Sequence, residues 1–113
     1  MTPDDAYEQR DHVQFLDVRE FYEFAAGHIE GAIHVPLRRL PDRLDALDPS
    51  LPVVVACQIG QRSDIAARFL VERGFDAHNL EGGMTRWAER GLPFVSSEGP
   101  GEVIDGWAQN LEW

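Results

Sequence analysis

The run Val53-Val54-Val55-Ala56 constrains the fold of this chain more than any other segment. Consecutive apolar residues, mostly β-branched, indicate a strand that is buried on both faces, as in a parallel sheet. Cys57, the one cysteine of the chain, follows this strand directly. Reactive groups of parallel α/β sheets lie outside the carboxyl ends of the strands. The sequence therefore predicts an α/β domain with Cys57 at the functional edge of its sheet.

Strand and helix patterns alternate along most of the chain, which favours a central parallel sheet with helices on both faces. A first helix is predicted to begin with Thr2 as its cap and Pro3 in its first turn. Strands are predicted at 13–18, 32–35, 53–57 and 75–80. The further helices are predicted at 20–26, 38–47, 63–73 and 83–90, and the helix at 63–73 presents an apolar face of Ile65, Ala66, Phe69 and Leu70.

The length of 113 residues fits one domain. We predict that residues 1–95 form this domain and that residues 96–113 form a tail. The tail opens with a linker-like stretch rich in serine, glycine and proline and carries Trp107 and Trp113. Because disordered tails rarely carry such large apolar groups, we expect this tail to dock on the domain or on a partner.

Composition excludes several classes of function. A net charge of −10 argues against partners that are nucleic acids or anionic membranes. A single cysteine excludes an intrachain disulfide and a CxxC site, and His12, His34 and His78 lack metal-ligand spacing. The start of the chain resembles no signal peptide, and no apolar run is long enough to cross a membrane. We expect a cytoplasmic protein without a metal, and a monomer as the simplest state.

The loop after the central strand, Cys57-Gln58-Ile59-Gly60-Gln61-Arg62-Ser63, carries the chemistry. Gly60 permits tight backbone geometry, Arg62 adds positive charge, and Ser63 or Asp64 is expected to cap the next helix. If the loop curls around Cys57, its N–H groups converge on the sulfur and favour the thiolate. The alternative is a buried structural cysteine without a reactive role.

Three motifs resemble those of the rhodanese family. The first comprises residues 16–20 with Phe24 and continues through Gly-His-Ile-Glu-Gly-Ala-Ile-His-Val-Pro at 27–36. The second is the Cys57 loop, and the third comprises Glu-Gly-Gly-Met at 81–84 with Trp87 and Gly-Leu-Pro at 91–93. The resemblance runs from about Val13 to Phe94 and implies the small α/β fold of that family, in agreement with the predicted elements.

The resemblance implies sulfurtransferase chemistry without a cofactor. The Cys57 thiolate attacks the outer sulfur of thiosulfate or of a persulfide and carries it as a Cys57 persulfide. Cyanide, a small thiol or a protein cysteine then accepts the sulfur, and the donor can also be a protein. The Cys57 loop, residues 57–63, is expected to bind the donor.

The resemblance also implies roles for residues around the loop. Arg62 is expected to pair with Asp17 beneath the loop, the alternative being that it favours the thiolate and binds the donor. Arg19 faces either the mouth of the site or a surface partner, Glu20 or Glu23. Ser63 is expected to be a cap rather than a catalytic hydroxyl. His28 is expected to be a buried hydrogen-bonding residue rather than a base, and Trp87 a core residue.

The residue after Cys57 departs from the family pattern. Many single-domain relatives that use thiosulfate carry arginine there, whereas this chain has Gln58. Without that charge, thiosulfate is expected to be a poor donor, although Gln58 and Gln61 can still hydrogen-bond a sulfonate or a peptide persulfide. The loop also lacks the Gly-Ser-Gly arrangement of mercaptopyruvate-specific relatives.

Two other functions are open to this fold. Related phosphatases and arsenate reductases space their cysteine and arginine as C-x5-R, whereas Cys57 and Arg62 form C-x4-R. That ring is too short for a phosphoryl group, so a phosphatase is disfavoured. The main alternative is a binding or regulatory module that retains the fold without turnover.

Overall fold

Four parallel strands form the centre of the protein. The computed structural model describes residues 1–97, so the predicted tail with Trp107 and Trp113 lies outside the described residues apart from its first two positions. The strand order is β2-β1-β3-β4. Their bounds are Gln14–Asp17 for β1, Ile33–His34 for β2, Val53–Ala56 for β3 and Ala77–Asn79 for β4.

Helices cover both faces of this sheet. The α-helices are α1 at Pro3–Glu8, α2 at Phe21–Ala26, α3 at Gln61–Glu72 and α4 at Gly83–Glu89. This confirms the predicted α/β class. Among residues 1–97, no helix is both long enough and apolar enough to cross a membrane.

Strand β3 lies between β1 and β4, and its four residues are fully buried. Side chains of a strand alternate between the faces of a sheet, so β3 supplies two separate cores. Val53 and Val55 pack in one cluster with Ala66 and Leu70 of α3. The other cluster contains Val54 and Ala56, and it also includes Ala6 of α1 with Met84 and Trp87 of α4. The predicted core position of Trp87 is confirmed.

The predicted start of α1 is confirmed. The Thr2 hydroxyl accepts a hydrogen bond from the Asp5 N–H at 3.2 Å, and Pro3 opens the helix. A threonine cap of this kind satisfies one of the N–H groups that the first turn leaves unpaired.

The predicted cap of α3 is wrong. The helix begins at Gln61, two residues earlier than predicted, and Gly60 is its N-cap residue. Ser63 and Asp64 therefore lie inside the first turn. The buried face of α3 consists of Ser63, Ala66, Ala67 and Leu70, whereas Ile65, which was expected in the core, is 60% exposed. Because 3.6 residues make a turn, the spacing from Ser63 to Leu70 defines one stripe that leaves Ile65 to one side.

The predicted helix at 38–47 is also wrong. Two short 3₁₀ helices, Leu37–Asp42 and Leu44–Ala46, occupy this segment instead. Pro41 lies inside the first of them and has no N–H to donate, which opposes a continuous α-helix. Leu40 and Leu47 nevertheless reach the core cluster of α3, so the apolar spacing was informative about burial.

Candidate active site

Cys57 follows β3 directly, and its sulfur has two polar neighbours. The Gly60 N–H donates a hydrogen bond to Sγ at 3.1 Å, and Ser63 Oγ lies 3.2 Å from Sγ. Cys57 as a whole is only 1% exposed. Surroundings with a backbone N–H donor and a hydroxyl are those expected for a negatively charged sulfur. A structural cysteine is instead expected among apolar groups. The predicted convergence of loop N–H groups on the sulfur is confirmed for one of them, that of Gly60.

Gly60 is required by the backbone of this loop. Its φ of +105° lies in the region that side chains rarely adopt. This conformation aims the Gly60 N–H at the sulfur three residues earlier while it begins α3. The tight backbone geometry predicted at Gly60 is confirmed.

Ser63 connects the sulfur to a residue that the sequence analysis missed, Asn79. Ser63 is fully buried, and its Oγ donates to Asn79 Oδ1 at 2.5 Å. The Asn79 Nδ2 group donates to the Gly60 carbonyl at 3.1 Å. The expected capping role of Ser63 is replaced by this contact with Cys57 and Asn79. A signal for Asn79 was present in the sequence, because a polar residue near the end of a predicted parallel strand lies at the same edge as Cys57.

Arg62 pairs with Glu23 of α2, which corrects the expected pairing with Asp17. Both terminal nitrogens of Arg62 donate to the Glu23 carboxylate, each at 2.8 Å. This fork-to-fork geometry joins the first turn of α3 to α2 and therefore fixes the end of the Cys57 loop. Arg62 is thus paired with a protein carboxylate.

Opposing effects act on the Glu23 carboxyl. Its burial by itself raises the pKa, but hydrogen bonds from Arg62 and the Glu20 N–H, together with the charges of Arg62 and Arg19, outweigh burial. The pKa of Glu23 is therefore lower than its ordinary value of 4.5. The hydrogen bond to Glu23 likewise raises the pKa of Arg62. Both shifts keep the pair charged.

Asp17 pairs with Arg19, so Arg19 lies neither at the mouth of the site nor on the surface. The Arg19 side chain is fully buried, and its Nη2 donates to Asp17 Oδ2 at 2.9 Å. A second bond from the same nitrogen reaches the Gly27 carbonyl at 2.7 Å. The chain leaves β1 immediately after Asp17, which lets the Arg19 side chain turn back onto that carboxylate.

Gln58 points into the protein rather than towards a donor. It is buried, and its Oε1 accepts from Arg19 Nη1 at 3.1 Å. Its Nε2 donates to Thr85 Oγ1 at 2.9 Å. The side chain therefore connects the Asp17–Arg19 pair to α4, which corrects the expectation that it hydrogen-bonds a sulfonate. Ile59 and Gln61 are the exposed side chains of the loop.

The start of α4 holds the loop from its other side. The Met84 N–H donates to the Cys57 carbonyl at 2.8 Å, and the Thr85 N–H donates to the Gln58 carbonyl at 3.0 Å. A Cβ atom on Gly83 would approach both carbonyl oxygens to 2.5 Å. The glycine of the third sequence motif therefore permits backbone contact between α4 and the Cys57 loop.

His28 makes the hydrogen bond that was expected of it, although it is half-buried rather than buried. Its Nδ1 lies 2.7 Å from the Phe24 carbonyl, and its ring stacks on the Phe24 ring with centroids 3.7 Å apart. Its backbone exchanges two hydrogen bonds with Val95, each at 2.8 Å. Within residues 1–97, no group of three histidine, cysteine, aspartate or glutamate side chains is arranged to hold a metal ion.

A cleft of about 440 Å³ lies away from the sulfur. Its lining includes Tyr7, Gln14, Trp87 and Phe94 and no residue of the Cys57 loop. Gln14 begins β1, so the cleft is at the amino edge of the sheet, opposite the edge where Cys57 lies. The cleft is therefore separate from the candidate site.

Comparison with known proteins identifies the family. The family model described as the rhodanese-like domain matches residues 2–90. The chain belongs to this rhodanese-like family. The position of Cys57 after β3, the Gly60 turn and the contact of Gly83 with the loop are thus features of a rhodanese-like domain in this chain.

Relatives of this rhodanese-like chain include sulfurtransferases. It is 44% identical over 73 residues to the thiosulfate sulfurtransferase GlpE of Pseudomonas fluorescens, covering 64% of this chain and 67% of that protein. It is 36% identical over 88 residues to a sulfurtransferase of Allochromatium vinosum, covering 77% and 82%. The crystal structure of a rhodanese-related protein from Thermoplasma volcanium has a TM-score of 0.81 and 34% identity, covering 84% of this chain and 95% of that one. These similarities support the sulfurtransferase family.

Proposed function

We propose that the chain is a rhodanese-type sulfurtransferase in which Cys57 carries the transferred sulfur as a persulfide. The observation that carries this proposal is the pair of polar groups on the Cys57 sulfur, the Gly60 N–H and the Ser63 hydroxyl. Both groups can donate to an anionic sulfur, and both are fixed in place by other contacts of the loop. The Gly60 N–H is already directed at the sulfur and stabilises its charge without reorganisation.

The reaction proceeds in two substitutions at sulfur. The Cys57 thiolate attacks the outer sulfur of the donor, and the leaving group departs with the electron pair of the donor bond. With thiosulfate the products are the Cys57 persulfide anion and sulfite, and with a persulfide donor the second product is a thiolate. Cyanide or a thiolate then attacks the outer sulfur of the Cys57 persulfide. The Cys57 thiolate leaves, with thiocyanate or a new persulfide as product.

The charges of the site favour a persulfide over thiosulfate as donor. Arg62 and Arg19 are each paired with a protein carboxylate, and Gln58 supplies no charge. Thiosulfate brings two negative charges to the site, whereas the reacting group of a persulfide brings one, and the net charge of −10 adds to the repulsion. We therefore expect a low-molecular-weight or protein-bound persulfide to be the faster donor, with a thiol as acceptor.

Intact-mass spectrometry tests the proposal. Purified protein is incubated with thiosulfate or with glutathione persulfide, beside a Cys57→Ser control. We expect a gain of one sulfur, roughly 32 Da, that cyanide removes and that the control lacks. The gain is expected to appear faster with glutathione persulfide.

Absence of the gain with both donors would overturn the proposal. The non-catalytic binding module would then be the better interpretation, and the burial of Cys57 would be its structural support. A gain in the Cys57→Ser protein would show that the added mass is not carried by this sulfur.

A further inference from the structure

Asn79 contacts both polar neighbours of the Cys57 sulfur without contacting the sulfur itself. Its Nδ2 donates to the carbonyl of Gly60, whose N–H donates to Sγ. Its Oδ1 accepts from Ser63, whose Oγ lies 3.2 Å from Sγ. One amide at the end of β4 thus holds the two groups that face the reactive atom.

The chemistry of these groups fixes the orientation of the Asn79 amide. The Gly60 carbonyl can only accept, so the NH₂ group of Asn79 must face it, and Oδ1 must face Ser63. Oδ1 also only accepts, so the single hydroxyl proton of Ser63 points towards Asn79 at 2.5 Å. In that orientation a lone pair of Ser63 Oγ faces the sulfur, which suits a neutral thiol that donates its own proton.

A thiolate requires the opposite orientation of the same hydroxyl. An anionic sulfur can only accept a hydrogen bond. The Ser63 hydroxyl therefore donates to it only when its proton turns from Asn79 to Sγ. Asn79 Oδ1 competes with the sulfur for this proton, while Asn79 Nδ2 keeps the Gly60 peptide in place for the other hydrogen bond.

We propose that Asn79 is a positioning residue for sulfur transfer, which sets the direction of the Ser63 hydroxyl proton and fixes the Gly60 N–H on Cys57. This inference rests on the proposed function, since it assigns Asn79 to the ionisation of the sulfur that begins the reaction.

The charged groups near the site are paired with residues other than Asn79. Arg62 of α3 is paired with Glu23 of α2, and Arg19 is paired with Asp17 at the end of β1. A neutral replacement of Asn79 leaves these pairs intact. Its effect on the sulfur therefore reports on the hydrogen bonds of Ser63 and Gly60.

The test measures thiolate formation through its ultraviolet absorbance as a function of pH, with the Cys57→Ser protein as the blank. The single cysteine makes this signal specific. The variants are Asn79→Leu, Ser63→Ala and the double variant, and His78→Gln is the matched control. His78 precedes Asn79 on β4, and its imidazole contacts Asp76 rather than the loop.

The proposal predicts that Asn79→Leu shifts the thiolate titration midpoint more when the Ser63 hydroxyl is absent than when it is present. In the Ser63→Ala background, Asn79→Leu only loosens Gly60, and the titration midpoint is expected to rise by about one pH unit, or tenfold in thiolate. With Ser63 present, the freed hydroxyl proton compensates, and the rise is expected to stay below about half a unit. Equal shifts in the two backgrounds, or no shift in either, would overturn the proposal.

Asn79→Asp keeps the test available if the leucine variants do not fold. It retains the acceptor towards Ser63, replaces the donor towards Gly60 by an acceptor and adds negative charge. The midpoint is expected to rise by about one pH unit or more, and an unchanged midpoint would contradict the proposal. The titration needs no sulfur donor, so its failure is distinguishable from the absence of a persulfide in the mass experiment.

Discussion

Two arginine–carboxylate pairs hold the Cys57 loop, and they differ in burial and in sequence separation. Asp17 and Arg19 are two residues apart, and their side chains are 2% and 0% exposed. Glu23 and Arg62 are separated by 39 positions, and Arg62 retains 35% of its exposure. The first pair is cut off from water, whereas one member of the second can still be hydrated.

This difference indicates different tasks for the two pairs. The buried pair fixes the end of β1 and holds Gln58. Loss of either partner therefore leaves an uncompensated charge in the core. The second pair joins α2 to the first turn of α3 and closes the loop, with water available to Arg62 if the partner is lost. We therefore expect the loss of the Asp17–Arg19 pair to lower the free energy of unfolding more than the loss of the Glu23–Arg62 pair.

Arg19→Met is the variant with the largest expected effect. It leaves the Asp17 carboxylate buried without its partner and removes the hydrogen bonds to Gln58 and Gly27. The free energy of unfolding is expected to fall by about 3–5 kcal/mol. Urea denaturation at neutral pH measures this loss.

The double variant Asp17→Asn with Arg19→Met is the control for a buried charge. It removes the unpaired carboxylate, so part of the lost stability is expected to return. A double variant as unstable as Arg19→Met would show that the buried charge is not the cause.

Glu23→Gln is expected to have a smaller effect. It removes the charge of the carboxylate but keeps its shape, and the partly exposed Arg62 can turn to water. The expected loss is about 1–2 kcal/mol in urea denaturation. A loss as large as that of Arg19→Met would contradict the proposed difference between the pairs.

The same pair predicts a pH dependence with a definite sign. The folded protein lowers the pKa of Glu23, so the stabilisation by this carboxylate is complete above its ordinary value of 4.5. It is lost as the pH falls through the lower, folded pKa. The stability difference between the wild-type protein and Glu23→Gln is therefore expected to be constant near neutrality and to shrink in acid. A difference that grows on acidification would reverse this assignment.

Asp4→Asn is expected to have the smallest effect. Asp4 and Arg90 join α1 to the residue after α4 across 86 positions, but both side chains are largely exposed. Exposed pairs gain little, because water already solvates both charges and salt screens them. The urea midpoint is expected to stay within error of the wild-type value, and a clear decrease would mean that long sequence separation matters more than burial.

Much of the fold could be predicted from local patterns. The four strands, the Thr2 cap and the position of Cys57 depend on short apolar runs and on side-chain bonds between near neighbours. The helix type of the segment around Pro41 is harder to predict. Apolar spacing indicates which residues are buried, but it does not indicate whether the backbone makes the i+3 hydrogen bonds of a 3₁₀ helix or the i+4 bonds of an α-helix. The exposed position of Ile65 has a similar cause, since apolar spacing allows a buried stripe through Ile65 as well as the observed one through Ser63 and Ala67.

The sequence by itself determined the family, the α/β class and the placement of the one cysteine at the carboxyl edge of the sheet. These follow from motifs and from the period of apolar residues, which act over a few positions. Only the tertiary structure decided that Arg62 pairs with Glu23, that Gln58 turns inward and that Asn79 holds both neighbours of the sulfur. Charged and polar side chains can choose among several partners, and the choice depends on distances and burial that exist only after the helices pack on the sheet.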